Sequence, residues 1–279
     1  MRVIISAGGT GGHIYPALAI INKIKEKEPD SDILYIGTTD RMEKDLIPSL
    51  GYKYEALEVR GLKRKLTIDN IKTIICFVTA IKRAKQIIKD FNPDVVIGCG
   101  GYVTAPVIYA AKKLGKKTFI HEQNSVVGLA NKFLARYTDK IGVSFESTIN
   151  DFPSNKAVLT GNPCSEKALT IKASSKKELG VDENKKLVLI VMGSLGSKSI
   201  NDKIFSFINK FKNKNYSVII VTGNSYYEKV KDKKVPDNVK VVPFIYEMPS
   251  VMKITDLIVT RAGASTMSEI TALEVPAIF

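Results

Sequence analysis

Glycine, histidine and short hydroxyl residues gather at a few places along this 279-residue chain, in patterns suited to holding phosphate. The first is Gly8-Gly9-Thr10-Gly11-Gly12-His13. Glycines let a backbone approach a ligand closely, and a helix that starts there turns its free N–H groups toward negative charge. The competing reading is a tight strand-to-helix turn without a ligand, although four glycines in five residues exceed what a turn requires. His13 adds chemistry: an imidazole with a reference pKa near ~6.5 suits proton abstraction from a hydroxyl at neutral pH. A helix N-terminus beside it disfavours the imidazolium, which keeps the ring able to accept a proton. Against this stands a histidine that only caps the helix or binds a phosphate. The loop is not a dinucleotide fingerprint, because Ile14 stands where the last glycine of G-x-G-x-x-G belongs, and no Gly-Lys-Ser/Thr follows to make a P-loop.

Three further loops share this character: Gly98-Cys99-Gly100-Gly101-Tyr102, Gly193-Ser194-Leu195-Gly196-Ser197 and Arg261-Ala262-Gly263-Ala264-Ser265-Thr266. Together they predict a cleft between two domains that takes phosphate-bearing and sugar ligands. His121-Glu122-Gln123-Asn124 follows the apolar Phe119-Ile120 and reads either as a site, with Glu122 a second acid–base group, or as a turn that satisfies buried backbone groups. Thr266-x-x-Glu269 has the form of a capping box, a purely structural helix start. Asp30-Ser31-Asp32 has the D-x-D form that can hold a cation, but it precedes a strand and so falls at the sheet end away from the loops. No metal or cofactor is therefore expected. Leaving-group charge would fall on backbone N–H groups of the third and fourth loops.

These loops need elements to carry them. Short β-branched runs at Val3–Ser6, Ile33–Ile36, Val95–Ile97, Thr118–Ile120 and Ile141–Ser144 alternate with segments of helical period. The pattern restarts at Leu187–Val191, Val218–Val221, Val239–Val242 and Leu257–Val259. Continuous apolar strands between amphipathic helices predict parallel sheets covered on both faces, hence α/β class with two doubly wound domains, 1–163 and 164–279. In such folds ligands sit beyond the carboxyl ends of the strands, where the glycine loops fall. The helix after the first loop carries Pro16 in its predicted first turn and a stripe of Ala17, Ile20, Ile21 and Ile24; the helix after the third carries Ile200, Ile204, Phe207, Ile208 and Phe211.

With 42 Lys+Arg against 28 Asp+Glu the net charge is +14, which points to an anionic partner. Cys76, Cys99 and Cys164 suggest neither a disulfide framework nor a zinc site. The apolar stretch Thr73–Ile81 lies between Lys72 and Lys82, far short of the ~20 residues that cross a bilayer.

In order along the chain, the Gly8–His13 loop, Gly100-Gly101-Tyr102, His121-Glu122-Gln123-Asn124, Gly161-Asn162-Pro163 and Arg261 through Glu269 closely resemble the MurG family of peptidoglycan N-acetylglucosaminyltransferases. The resemblance runs the length of the chain. It implies the GT-B architecture, two Rossmann-like domains facing a cleft. It also implies an inverting transfer of N-acetylglucosamine from UDP-GlcNAc to the C4 hydroxyl of undecaprenyl-linked muramoyl-peptide, giving lipid II. The N-terminal half would hold the lipid acceptor and the C-terminal half the donor. Carried over by motif, Thr10, Gly11, Gly12 and Asn124 fall at donor contacts reached from the first domain, and Gly101 and Tyr102 belong to the substrate-binding set. Ser194 falls at the pyrophosphate loop and Ile245 beside the uracil. Ala264, Ser265, Thr266, Met267, Ser268 and Glu269 line the donor, with Glu269 toward the ribose hydroxyls and Arg261 nearby. Three positions depart from the family pattern: Ser165 replaces an arginine, Leu195 replaces a glutamine, and the chain stops at Phe279, where the family continues. The last departure makes the second domain incomplete by expectation. An inactive relative that only binds lipid precursor or membrane is thus an alternative, as is another GT-B-like UDP-sugar enzyme such as a 2-epimerase or glycolipid synthase.

Residues 60–89 add a surface. Arg60-Gly61-Leu62-Lys63-Arg64-Lys65 leads into a helix in which Ile71, Ile74, Ile75, Phe77, Val78 and Ile81 interleave with Lys72, Lys82, Arg83 and Lys85. Such a helix lies on an anionic leaflet, peripherally and on the cytoplasmic side in this reading, or simply covers a sheet with solvated lysines outside. Nucleic acid is not expected, because no recognition motif accompanies the charge.

Overall fold

The computed structural model describes the backbone of residues 1–61 and 68–279, and the side chains of 1–61 and 72–279. Two compact units divide the chain, Met1–Pro163 and Cys164–Phe279.

The first unit runs β1 Arg2–Ser6, α1 Gly11–Lys27, β2 Asp32–Thr38, α2 Glu43–Ser49, β3 Lys53–Leu57, α3 Ile68–Phe91, β4 Val95–Gly98, α4 Thr104–Lys113, β5 Lys117–Glu122, α5 Leu129–Leu134, β6 Lys140–Val143 and β7 Ala157–Leu159. Its seven strands lie in the order β3-β2-β1-β4-β5-β6-β7, every pairing parallel. Strand alternation sorts the core onto two faces. Val3 and Ile5 join Ile14, Ala17 and Ile21 of α1 on one side, while Ile4 joins Ala84 and Ile88 of α3 and Ile108 of α4 on the other.

The second unit takes α6 Pro163–Thr170, β8 Lys186–Val191, α7 Lys198–Ser206, β9 Tyr216–Val221, α8 Asn224–Tyr227, β10 Val239–Val242, α9 Met248–Met252, β11 Leu257–Thr260, α10 Ala264–Leu273 and β12 Ala277–Ile278. Its strands lie in the order β10-β9-β8-β11-β12, again all parallel. In each unit the first strand is flanked by the second on one side and by a later strand on the other. The strand order therefore reverses between β1 and β4, and again between β8 and β11. Crevices at such reversals are where doubly wound sheets take ligands.

Three local expectations need correction. The helix after the first glycine loop begins at Gly11, so Pro16 lies in its interior rather than its first turn. Lacking an N–H, Pro16 forgoes the bond to the Gly12 carbonyl. The apolar stripe from Ile200 to Phe211 does face one core, but α7 stops at Ser206 and a separate 3-10 turn, Ile208–Phe211, carries the rest. Thr266 and Glu269 form no capping box, because α10 starts at Ala264 after Gly263, which leaves Thr266 already inside the helix.

Candidate active site

In the first unit the loop after β1 and the loop after β4 pack against each other at the strand reversal. The Gly8 N–H donates to the Gly100 carbonyl at 3.3 Å. Gly100 and Gly101 both have positive φ, +101° and +87°. A Cβ at Gly100 would lie 2.5 Å from the His13 ring, and one at Gly101 would collide with the Gly8 carbonyl. The second loop is thus glycine-rich to admit the His13 ring and the first loop's backbone.

His13 occupies the third position of α1, half-buried, with Nδ1 3.2 Å from the Gly8 carbonyl. A carbonyl only accepts, so Nδ1 carries the proton and Nε2 is the basic nitrogen. Burial lowers the His13 pKa below the ordinary imidazole value; the bond to Gly8 and the charges of Glu122 and Glu43 oppose it. The ring is therefore neutral near pH 7, with burial as the leading cause. Thr10 precedes the helix and Gly12 is exposed beside it, while Gly11 is buried. Tyr102 is 64% exposed at the second loop.

The His121–Asn124 run divides. His121, Glu122 and Gln123 are buried, and Asn124 is exposed. Glu122 Oε1 accepts from the Asn124 N–H at 3.0 Å and its side-chain amide at 2.9 Å; Oε2 accepts from the Gly128 N–H at 3.0 Å and Asn131 Nδ2 at 2.9 Å. Four donors on one carboxylate make it the anchor of the loop that carries Asn124, and argue against a second acid–base group. His121 Nε2 donates to the Gly161 carbonyl at 3.0 Å, and its Nδ1 accepts from Gln123 at 3.1 Å, which ties β5 to the end of β7. Asp32 of the D-x-D stretch pairs with Lys53 at 2.8 Å, at the amino end of β2 and so away from the loops.

In the second unit the loops after β8 and β11 meet in the same way. The Arg261 guanidinium donates to the Met192 carbonyl, lying across Gly193. Gly196 and Gly223 approach the Thr222 and Leu195 carbonyls back to back, closer than any side chain allows. Ser194 is half-buried and Leu195 is 72% exposed. At the start of α10 the N–H groups of Ala264, Ser265 and Thr266 have no side-chain cap, and Ser265 Oγ is buried without a hydrogen-bond partner. Amides and an unpaired hydroxyl at a helix N-terminus suit an anionic ligand. Met267 is half-buried one turn on, and Ser268 turns its hydroxyl back to the Ala264 carbonyl at 2.9 Å. Glu269 is half-buried; burial pushes its carboxyl up to about 7, opposed by the charge of Lys167. Ser165 Oγ donates to the Ser268 carbonyl at 3.1 Å, so the residue that departs from the family's arginine still meets α10. Ile245 packs half-buried against the β8–β9 core.

Residues 3–143 match the glycosyltransferase family 28 N-terminal domain, and residues 187–279 match its C-terminal domain. The chain belongs to glycosyltransferase family 28. Among curated members, the UDP-N-acetylglucosamine–N-acetylmuramyl-(pentapeptide) pyrophosphoryl-undecaprenol N-acetylglucosamine transferase of Bacillus cytotoxicus is 48% identical over 283 residues, covering 100% of this chain and 78% of that one. The Bacillus pumilus enzyme of the same name is 48% identical over 284 residues with the same coverage. The crystal structure of Acinetobacter baumannii MurG superposes with a TM-score of 0.68 at 29% identity, over 100% of this chain and 78% of that one. A UDP-GlcNAc 2-epimerase from Neisseria meningitidis superposes with a TM-score of 0.67 at 17% identity, covering 100% and 82%, and shares the fold. Both units of this family 28 glycosyltransferase thus carry the two-domain GT-B pattern of parallel Rossmann-like sheets.

One buried carboxylate beside the first glycine loop has no counterpart among the residues singled out from the sequence. Glu43, wholly buried at the head of α2, lies under the first glycine loop. Its only local signal is its place four residues before the buried Ile47, on the inward face of a short helix. A separate cavity of 730 Å³ lies in the second unit at the amino ends of β9 and β10, among Lys185, Lys214, Ser217 and Lys240. That is the sheet end opposite the glycine loops, so it is not part of this site.

Proposed function

We propose that this chain transfers N-acetylglucosamine from UDP-GlcNAc to the C4 hydroxyl of undecaprenyl-linked muramoyl-peptide, with inversion and without a covalent intermediate. The observation that carries it is His13: its Nδ1–H is committed to Gly8, leaving Nε2 free and basic in a chain 48% identical to transferases of that name. Nε2 takes the hydroxyl proton as the oxygen bonds the anomeric carbon from the face opposite UDP. The anomeric C–O bond breaks and UDP departs with the electron pair. Its growing charge falls on the amides that open α10 and on the loop at Ser194, with Glu269 toward the ribose and Ile245 toward the uracil. Thr10, Gly11, Gly12 and Asn124 complete the donor contacts; Gly101 and Tyr102 belong with the substrate contacts. In this reading the first unit serves the acceptor and the second the donor, and no cofactor takes part.

The second part of the reading concerns the membrane. Among the described residues no helix is long and apolar enough to cross one. Yet α3 exposes Ile74, Ile75 and Val78, at 57%, 61% and 47%, with Lys72, Lys82 and Arg83 also outward. Its inward face, Ala80, Ala84, Ile87 and Ile88, covers the sheet. One helix thus supports both of the readings open in the sequence. The basic Leu62-Lys63-Arg64-Lys65 run and the Ile71 side chain lie outside the described residues. An apolar strip edged by cations suits peripheral docking on an anionic leaflet, which supports a peripheral location at the cytoplasmic side of the cell membrane.

The test is a transfer assay with UDP-GlcNAc and a lipid-linked muramoyl-peptide analogue. His13→Ala is expected to lower turnover by ~10²–10⁴-fold with donor affinity little changed. Unaltered turnover would exclude His13 as the base; epimerisation or hydrolysis of the donor without transfer would favour the 2-epimerase class.

A further inference from the structure

Glu43 is wholly buried, and the transfer chemistry above makes no use of it. A carboxylate out of water is costly unless its oxygens are well paired. Here Oε1 accepts from the Thr38 hydroxyl at 2.6 Å, the Thr38 N–H at 3.1 Å and the Gly9 N–H at 3.3 Å, and Oε2 shares the Gly9 N–H at 3.3 Å. All of these donors are neutral. Tyr54 steadies the far side, its hydroxyl donating to the Thr38 carbonyl at 2.6 Å.

The Gly9 N–H and the Gly8 carbonyl belong to one peptide group. In a planar trans peptide these two point in opposite directions. The carbonyl is the acceptor for His13 Nδ1, at 3.2 Å. A single rigid plane therefore carries the carboxylate on one edge and the imidazole on the other. Hydrogen bonds in such a chain polarise one another, so a carboxylate on the N–H strengthens the carbonyl as an acceptor.

We propose that Glu43 is a positioning residue for the transfer: acting through the Gly8–Gly9 peptide, it holds His13 in the Nδ1–H tautomer and so keeps Nε2 available for the acceptor's proton. It performs at one peptide's remove the task of a carboxylate bonded directly to a catalytic imidazole. The inference rests on His13 being the base. The charged groups that act on His13 are Glu43 from α2 and Glu122 from β5. Tyr35 and Tyr54, near Glu43, are held neutral by burial.

The chain's two histidines supply the experiment. Long-range proton–nitrogen NMR spectra of the native chain are expected to show opposite neutral tautomers, Nδ1–H for His13 and Nε2–H for His121, which donates to Gly161. In Glu43→Gln an acceptor oxygen remains for Thr38 but the charge is gone. The His13 titration and the acid limb of the pH–rate profile are then expected to move to lower pH, while His121 stays in place. Turnover is expected to fall roughly ten- to a hundredfold, the range for removing an outer partner of a working imidazole, with donor KM within about twofold. Native His13 in the Nε2–H form overturns the proposal even if the variant does not fold. So does a folded variant whose His13 titrates as in the native chain. Should His13→Ala keep its turnover while the tautomers stand as described, the assignment of the base fails and the proposal with it.

Discussion

At the scale of single residues, two titrations have opposite signs. Burial lowers the His13 pKa, and the base must be neutral to work, so activity rises with pH as the ring loses its proton. The acid limb of kcat/KM is expected below the ordinary histidine value of ~6.5, read from a pH–rate profile. Glu269 is raised to about 7 by burial. A carboxyl raised in the folded state favours folding when protonated, so its charge costs stability. That cost is absent below the unfolded value near ~4.5, grows as pH rises, and is complete above about 7. Glu269→Gln is therefore expected to gain at most ~3 kcal/mol of stability at pH 8 and nothing at pH 4, by denaturant unfolding at the two pH values. If the carboxylate accepts from ribose hydroxyls, the same variant is expected to bind UDP roughly tenfold or more weakly at pH 8, by calorimetry. Much of this site could be read in the sequence, because glycine density and one histidine carry their own meaning. Glu43 could not, since it gains its role only when α2 folds beneath a loop 34 residues away. The Thr266-x-x-Glu269 spacing misled, because it fits a helix start just as well when the helix already began at Ala264.

At the scale of elements, the central strands and the β10 edge of the second sheet were legible, and the two edges of the first sheet were not. β1, β4, β8 and β9 are continuous apolar runs because both faces are covered. β3, Lys-Tyr-Glu-Ala-Leu, and β7, only three residues, lie at the two edges of the first sheet, where half-exposed positions tolerate polar side chains and blur the pattern. Helix α1 fills the core beneath the first glycine loop with Ile14, which is fully buried. Ile14→Ala is expected to cost ~2–5 kcal/mol in denaturant unfolding, and to reduce turnover as well because the neighbouring His13 loses its support. Helix α3 provides the contrast. Its outward Ile75 does little for the fold, so Ile75→Glu is expected to leave the melting temperature within about 2 °C. It is also expected to weaken sedimentation with phosphatidylglycerol vesicles several-fold. Equal binding by the variant would show that this face does not dock.

At the scale of the whole molecule, one strand order serves twice, and each time the reversal is bracketed by two glycine loops. A net charge of +14 acts over the entire surface, and exposed charges are screened beyond ~8 Å at physiological salt. Vesicle binding is accordingly expected to weaken steeply between 50 and 500 mM salt, as a sedimentation series would show, and binding indifferent to salt would leave the apolar strip as the sole anchor. The bends at Gly196 and Gly223 constrain the molecule differently. Each presses on main chain rather than on a side chain. A clash with a side chain can be relieved by trimming the neighbour, but a carbonyl cannot be trimmed. Suppressor mutations should therefore be obtainable for a substitution at Gly98, where an added Cβ would meet the Thr104 methyl, and unobtainable by any single exchange for Gly196. Divergence at the latter bend would have to come by insertion or deletion, with both loops remade together.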